Sequence, residues 1–233
     1  MSDLRWGAAD EMQRDIETFV SLFVHDIRSP LTTAAGVAET LQRHNGRLDE
    51  ALKSELLEAV RTSVGRIEEI TMEAERLQTT RVSLTRAEPE SVPVSALLRE
   101  LVSDTRQPPC IELDVDDVVV SLLREAVEQA VTEMLANVAD HTPFGTSARV
   151  RAKAIGDREI LITVEDDGPG VPLEFRERIF APYCRGRAAP AQGGYGLGLA
   201  VVDQVAAAHD GGAWVEESPG GGASFRLLLR GLD

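Results

Sequence analysis

His25 and Asp26 stand side by side in the segment Phe23-Val24-His25-Asp26-Ile27-Arg28-Ser29-Pro30-Leu31, which joins a nitrogen nucleophile to a carboxylate and places a proline shortly after them. A neutral imidazole is nucleophilic, and an adjacent carboxylate can fix its tautomer or take its proton. A second group, Glu133, Asn137, Asp140 and His141, is spaced to line one edge of a helix. A carboxamide oxygen suits Mg²⁺, a hard cation that keeps several waters while it bridges phosphates. Further on, Val164-Glu165-Asp166-Asp167-Gly168-Pro169-Gly170 reads as a strand running into an acidic, glycine-rich turn. Glycines let the backbone approach a flat ligand, and an acidic oxygen beside them can accept a hydrogen bond from an amino group such as that of adenine. The run Gly193-Gly194-Tyr195-Gly196-Leu197-Gly198-Leu199-Ala200 then leads into a helix, whose first amides favour anions. It lacks the GK[ST] ending of a Walker loop and no dinucleotide-type βαβ unit surrounds it.

These groups need elements to hold them. Residues Ile16, Val20, Phe23, Ile27, Leu31, Ala34, Ala38 and Leu41 follow one face of a long helix, and after a polar break at residues 44–47 the same steps return at Leu52, Leu56, Ala59, Ser63, Ile67, Ile70, Ala74 and Leu77. Two such helices predict an antiparallel hairpin whose apolar stripe stays wet unless a second copy covers it, so a homodimeric four-helix bundle is expected. His25 falls on the far side of the first helix from that stripe, at about 100° per residue, facing solvent. Pro30 removes a backbone donor and is expected to interrupt and kink the helix. The hairpin is assigned to residues 1–84. A polar stretch with Pro89 and Pro93 reads as a linker over residues 85–93, and residues 94–233 as a second domain. There the pattern predicts a helix over 94–102, strands over 111–115 and 118–121, a helix over 123–140, a hairpin of strands over 149–154 and 159–165, a helix over 200–208 and closing strands over 213–216 and 224–229. That order predicts an α/β layer on a mixed or antiparallel sheet, and an α+β chain as a whole.

Composition narrows the function classes. The net charge of −15 leaves no surplus of Lys or Arg for phosphate contacts, which argues against nucleic acid and anionic membranes as partners. No run approaches the roughly 18 apolar residues of a membrane helix and no secretory signal opens the chain, so a cytoplasmic protein, or the water-facing part of a larger or membrane-anchored sensor, is expected. Cys110 and Cys184 lack ligand spacing and read as free thiols.

Residues 23–31 resemble the H box of sensor histidine kinases, and the other motifs follow in that family's order. Glu133-Met134-Leu135-Ala136-Asn137-Val138-Ala139-Asp140-His141-Thr142-Pro143 resembles the N box and Asp166-Asp167-Gly168-Pro169-Gly170 the first glycine box. Phe175 to Phe180 with Ala181-Pro182-Tyr183-Cys184-Arg185-Gly186 resembles the F box, and Gly194 to Leu199 the second glycine box. The resemblance implies a dimeric phosphotransfer hairpin, and after it a two-layer α/β sandwich ATP-binding domain of the Bergerat type. It implies His25 as phosphoacceptor with Asp26 as the acid/base beside it. Asn137 would hold Mg²⁺, and Asp166 would bind the adenine amino group, with Gly168 and Gly170 shaping the base pocket; Glu133, beyond what the resemblance implies, is expected to support the metal through its outer ligands. Asp140, His141, Tyr183, Arg185, Gly194, Gly196, Leu197 and Gly198 would complete the ATP site. It further implies a response regulator receiver domain as partner. Some positions depart from the family pattern: Glu133 and Asp140 stand where Asn and Lys are common, Ser29 where Thr or Asn assists dephosphorylation, and Tyr195 where a small residue is usual. Glu133 also suits an ATPase of the gyrase and chaperone type with that residue as base. Two further functions stay open, a serine kinase of the anti-sigma type and a noncatalytic scaffold.

Overall fold

A computed structural model describes residues 3–44, 48–104, 110–182, 184 and 196–233. The chain divides into two compact units, Met1–Arg76 and Leu77–Asp233. The first holds two long helices, α1 (Asp3–His44) and α2 (Glu50–Arg86, which continues past the division). Asp49 caps α2, its Oδ1 accepting from the amide of Leu52 at 2.7 Å, and Glu50 adds favourable negative charge in the first turn. Among the described side chains of α1, from residue 23 on, Phe23, Asp26, Ile27, Pro30, Ala34, Val37 and Leu41 are covered or half-covered. Along α2 Leu56, Ala59, Ser63, Ile67 and Ile70 play the same part, with Ile70 fully buried. Of the stripe predicted from spacing, Leu31, Ala38 and Leu52 are exposed and the other members whose side chains are described are covered or half-covered, while the side chains of Ile16, Val20, Ala74 and Leu77 lie outside the described residues.

Pro30 does not interrupt α1, contrary to the expectation from its chemistry. The helix runs through it and the ring is buried. A proline deprives the Asp26 carbonyl of its donor, yet a helix 42 residues long with a packed face can absorb one missing bond. Hydroxyls thicken the ladder just beyond: Thr32 donates to the Arg28 carbonyl at 2.7 Å and Thr33 to that of Ser29 at 3.2 Å.

The second unit is built on a five-stranded sheet in the order β2-β4-β5-β7-β6, formed by β2 (Ile111–Val115), β4 (Ala148–Ala154), β5 (Glu159–Asp166), β6 (Gly212–Glu217) and β7 (Ala223–Arg230). Only the β2–β4 pairing is parallel, so the sheet is mixed. A separate pair joins β1 (Glu90–Pro93) to β3 (Val119–Leu122), with Val92 opposite Val120. Strand β1 lies inside the segment read from sequence as linker, and α2 extends to Arg86, which leaves only residues 87–89 between elements. Proline at the end of an edge strand is compatible with such a pair because only one side of the strand is bonded.

Helices α3 (Val94–Asp104), α4 (Arg124–His141) and α6 (Gly198–Ala208) supply the second layer, while α5 (Leu173–Arg176) is a single turn. On α4 the buried residues Val127, Ala130, Val131, Met134, Leu135 and Val138 follow three-and-four spacing; α6 presents Val201, Val202 and Val205. They meet the inner face of the sheet, Val150, Ala152, Ile162, Val164, Phe225 and Leu227, all buried. Strict alternation sends the intervening residues to the opposite face, where Arg149 meets Glu112 at 2.9 Å and Lys153 meets Asp114 at 2.7 Å and Asp116 at 3.0 Å. One apolar and one charged face make this a two-layer sandwich.

His209, fully buried after α6, ties two helices together. Its Nδ1 donates to the Val205 carbonyl at 2.8 Å, and its Nε2 accepts from the amide of Leu123, the residue that opens α4, at 3.1 Å. Burial holds this imidazole below its ordinary value, so it is neutral, as that pair of bonds requires.

Candidate phosphoacceptor and nucleotide site

His25 sits on the outer side of α1, as its spacing requires, with 79% of its side chain exposed. Its Nδ1 lies 3.3 Å from Asp26 Oδ1. A carboxylate there favours the tautomer with hydrogen on Nδ1, which leaves the lone pair on Nε2, the nitrogen distal to the backbone.

In the second unit α4 holds Glu133 and Asn137 half-buried on one edge, with Asp140 and His141 exposed at its end. Glu133 approaches α6 closely: a Cβ on Gly198, the first residue of that helix, would stand 2.5 Å from Glu133 Oε2. Glycine at 198 lets the Glu133 carboxylate sit against the start of α6. Gly196 precedes it at φ +73, a conformation that favours glycine, and Leu197 between them is buried.

Asp166 ends β5 and is 3% exposed. Its Oδ1 accepts from the amides of Gly168, at 2.8 Å, and Ala223, at 3.2 Å. Desolvation pushes its carboxyl above the ordinary value; the two amides pull it back, and the neighbouring Asp167 charge adds to the rise. With Oδ1 holding two donors, Oδ2 is the oxygen on which a ligand's amino group would fall. Gly168 has no room for a side chain, since a Cβ would lie 2.6 Å from Thr142 Cγ2 and 2.8 Å from Asp166 Oδ1. Gly170, at φ +71, faces the carbonyls of Gly221 and Gly222, each 3.2 Å from where its Cβ would be.

The structure therefore adds residues that motif reading missed. The loop of residues 218–222, between β6 and β7, backs the Asp166 turn: a Cβ on Gly222 would overlap the Asp166 carbonyl, and one on Gly220 the Asp167 carboxylate. The signal was the triple glycine before β7, which reads as an ordinary turn until its backbone is seen against residues 166–170. Phe180 of the F-box segment is buried, while Tyr183, Arg185 and Gly194 lie outside the described residues. Among the described residues no three His, Cys, Asp or Glu side chains converge as a metal site, and no helix is long and apolar enough to cross a membrane. Asn137 and Glu133, one turn apart on one helix edge, offer two hard oxygen donors. That set fits a Mg²⁺ whose remaining ligands are phosphate and water.

Comparisons with known proteins agree with this geometry. Residues 15–79 match the His Kinase A (phospho-acceptor) domain, and residues 123–231 match the histidine kinase-, DNA gyrase B-, and HSP90-like ATPase domain. The adaptive-response sensory kinase SasA of Synechococcus sp. (strain JA-2-3B'a(2-13)) is 32% identical over 219 residues, covering 90% of this chain and 58% of the relative. The signal transduction histidine-protein kinase/phosphatase MprB of Mycolicibacterium smegmatis is 33% identical over 216 residues, covering 89% of this chain and 44% of the relative. The chain thus spans about half the length of these curated relatives. Among solved structures, a mycobacterial sensor histidine kinase MprB superposes on 61% of this chain with a TM-score of 0.54 at 26% identity, with 97% of that chain covered. The histidine kinase ThkA, solved in complex with the response regulator protein TrrA, superposes on all of this chain with a TM-score of 0.61, covering 68% of its own. At 20% identity that likeness speaks to the fold.

Proposed function

The chain belongs to the sensor histidine kinases, and on that premise we propose that it takes the γ-phosphoryl group of ATP onto His25 and passes it to an aspartate of a response regulator in two-component signalling. The observation that carries this reading is the exposed His25 imidazole with Asp26 against its Nδ1, on a hairpin of the phospho-acceptor type. Asp26 holds the hydrogen on Nδ1, so Nε2 attacks the γ-phosphorus in line while the bond to the ADP oxygen breaks. The carboxylate then stabilises the positive charge that grows on the ring. Exposure leaves room for a donor nucleotide and, later, an acceptor aspartate to reach the same nitrogen.

Residues 94–233 would hold the nucleotide and residues 1–84 the phosphoacceptor. Asp166 receives the adenine amino group, and Gly168 and Gly170, which let its turn close tightly against Thr142 and residues 221–222, would shape the base pocket. Asn137, with Glu133, would hold Mg²⁺, which when bound offsets charge spreading over the phosphate oxygens. Gly196, Leu197 and Gly198 bring the backbone amides at the start of α6 towards the phosphates. Asp140 and His141 lie at the rim, and Tyr183, Arg185 and Gly194 complete the site by their resemblance to the F box and second glycine box. A reaction that consumes ATP and feeds a response regulator belongs in the cytoplasm, with a second copy of the chain as partner through the hairpin.

The test is incubation of the protein with MgATP labelled on the γ-phosphate. Acid-labile, alkali-stable label that disappears in His25→Gln is the expected result. Absence of label from a protein that demonstrably binds ATP would sink the proposal, and phosphate release undiminished by His25→Gln would favour hydrolysis with Glu133 as base.

A further inference from the structure

Asp166 is held from two sides, by its own turn and by the loop of residues 218–222, and the second hold depends on one hydroxyl. Ser218 Oγ donates to the backbone carbonyl of Asp166 at 2.7 Å and accepts from the amide of Gly222 at 3.0 Å, so its donor and one lone pair are both engaged. The residue is 5% exposed, which leaves little access for water to replace it. The loop closes on itself through Ser218 N to the Gly222 carbonyl and Gly221 N to the Ser218 carbonyl, both 2.9 Å. One residue further on, the Ala223 amide reaches Asp166 Oδ1. Glycine at 222 lets the two backbones touch.

We propose that Ser218 is a positioning residue for nucleotide selection: by clamping the Asp166 backbone to the 218–222 loop it fixes the carboxylate so that Oδ2 meets an exocyclic amino group on the purine. The inference rests on the reading of Asp166 as the adenine-binding residue. Removing the hydroxyl leaves the Asp166 carbonyl and the Gly222 amide without their buried partner. The two turns relieve this by parting, which draws the Ala223 amide off Oδ1 and frees the carboxylate to rotate. Nucleotides bearing the amino group then lose affinity, whereas one lacking it never used that oxygen and is bound as before. A loop that merely stabilised the domain would weaken both nucleotides alike.

The experiment compares Mg²⁺-dependent binding of ATP and of purine riboside triphosphate, which lacks the 6-amino group, to the full chain. The wild type and the variants Ser218→Ala, Ser218→Thr and Ser218→Val are titrated. The expected result is a wild-type preference for ATP that falls about tenfold in Ser218→Ala, through ATP affinity alone, on the scale of one lost hydrogen bond to a charged group. Equal weakening of both nucleotides, or no change in either, overturns the role of Ser218 while leaving Asp166 in place. A wild type that does not distinguish the two nucleotides overturns the Asp166 reading and the inference with it. Should Ser218→Ala bind neither nucleotide, the near-isosteric pair decides: preference kept in Thr and lost in Val supports the clamp, and equal behaviour of the two refutes it.

Discussion

At Asp166, burial raises the carboxyl above its ordinary value while the amides of Gly168 and Ala223 oppose the rise. The sign of its pH dependence follows. A carboxyl whose folded value is raised favours folding in acid and loses that contribution as pH climbs through the raised value. Nucleotide binding runs the other way, because the amino group needs the ionised acceptor. ATP affinity is therefore expected to fall on acidification at a higher pH than an ordinary aspartate would give. Asp166→Asn should flatten that profile. With Oδ1 committed to two backbone donors, the new amide would face the ligand's amino group, donor against donor, and affinity should drop by about 10- to 100-fold, the scale of a hydrogen bond to a charged group. Titrations of nucleotide affinity against pH for both proteins check the pair of expectations, and a wild-type profile matching that of the variant would remove Asp166 from the site.

Among elements, the link from α6 to α4 through His209 depends on pH. Its folded value is lowered by burial, so its contribution to stability is present above the ordinary histidine value of 6.5 and is lost as pH falls from there towards the lowered one. Protonating Nε2 would set a donor against the Leu123 amide and open the start of α4, the helix that carries Glu133 and Asn137. His209→Phe should cost about 1–3 kcal/mol by orphaning that amide, and should remove part of the acid sensitivity of the thermal midpoint. Melting curves at neutral and mildly acidic pH measure both. The long helices were legible in the sequence, because steps of three and four survive whatever packs on them, and β4, β5 and β7 were legible from alternation, whereas the single turn α5 carries too few residues to show a period. Strand β1 was not legible: Pro89 precedes it and Pro93 is its last residue, and its partner β3 lies almost thirty residues away, a pairing local pattern does not encode. The 218–222 loop was missed for the same reason. Its glycines matter through backbone approach to residues 166–170, some fifty positions earlier. His25, Asn137 and Asp166 stand out in the sequence because each is a chemically distinctive residue in a recognisable local frame.

For the whole molecule, the hairpin's uncovered side chains set the question. Val24, Leu31, Leu57, Val64 and Met72 are 43% exposed or more in the single chain, and Val24 with Leu31, and Leu57 with Val64, recur at seven-residue spacing. Apolar stripes of that kind are rarely left in water, and pairing two hairpins into a four-helix bundle would cover them. Sedimentation should give twice the 25.3 kDa chain mass. Leu57→Glu with Val64→Glu should yield a monomer whose ATP affinity is unchanged, since both positions lie in the first compact unit and the nucleotide residues in the second. Charge makes the expectation sharper. Each chain carries −15, so two copies would repel each other, and what would bring them together is burial of apolar area, which salt does not screen. Raising salt from about 0.02 M to about 0.3 M shortens the range of the repulsion and should tighten the dimer. An assembly held by ion pairs would loosen over the same range, so the sign of the salt dependence, read from dissociation constants at a few ionic strengths, decides which force closes the bundle.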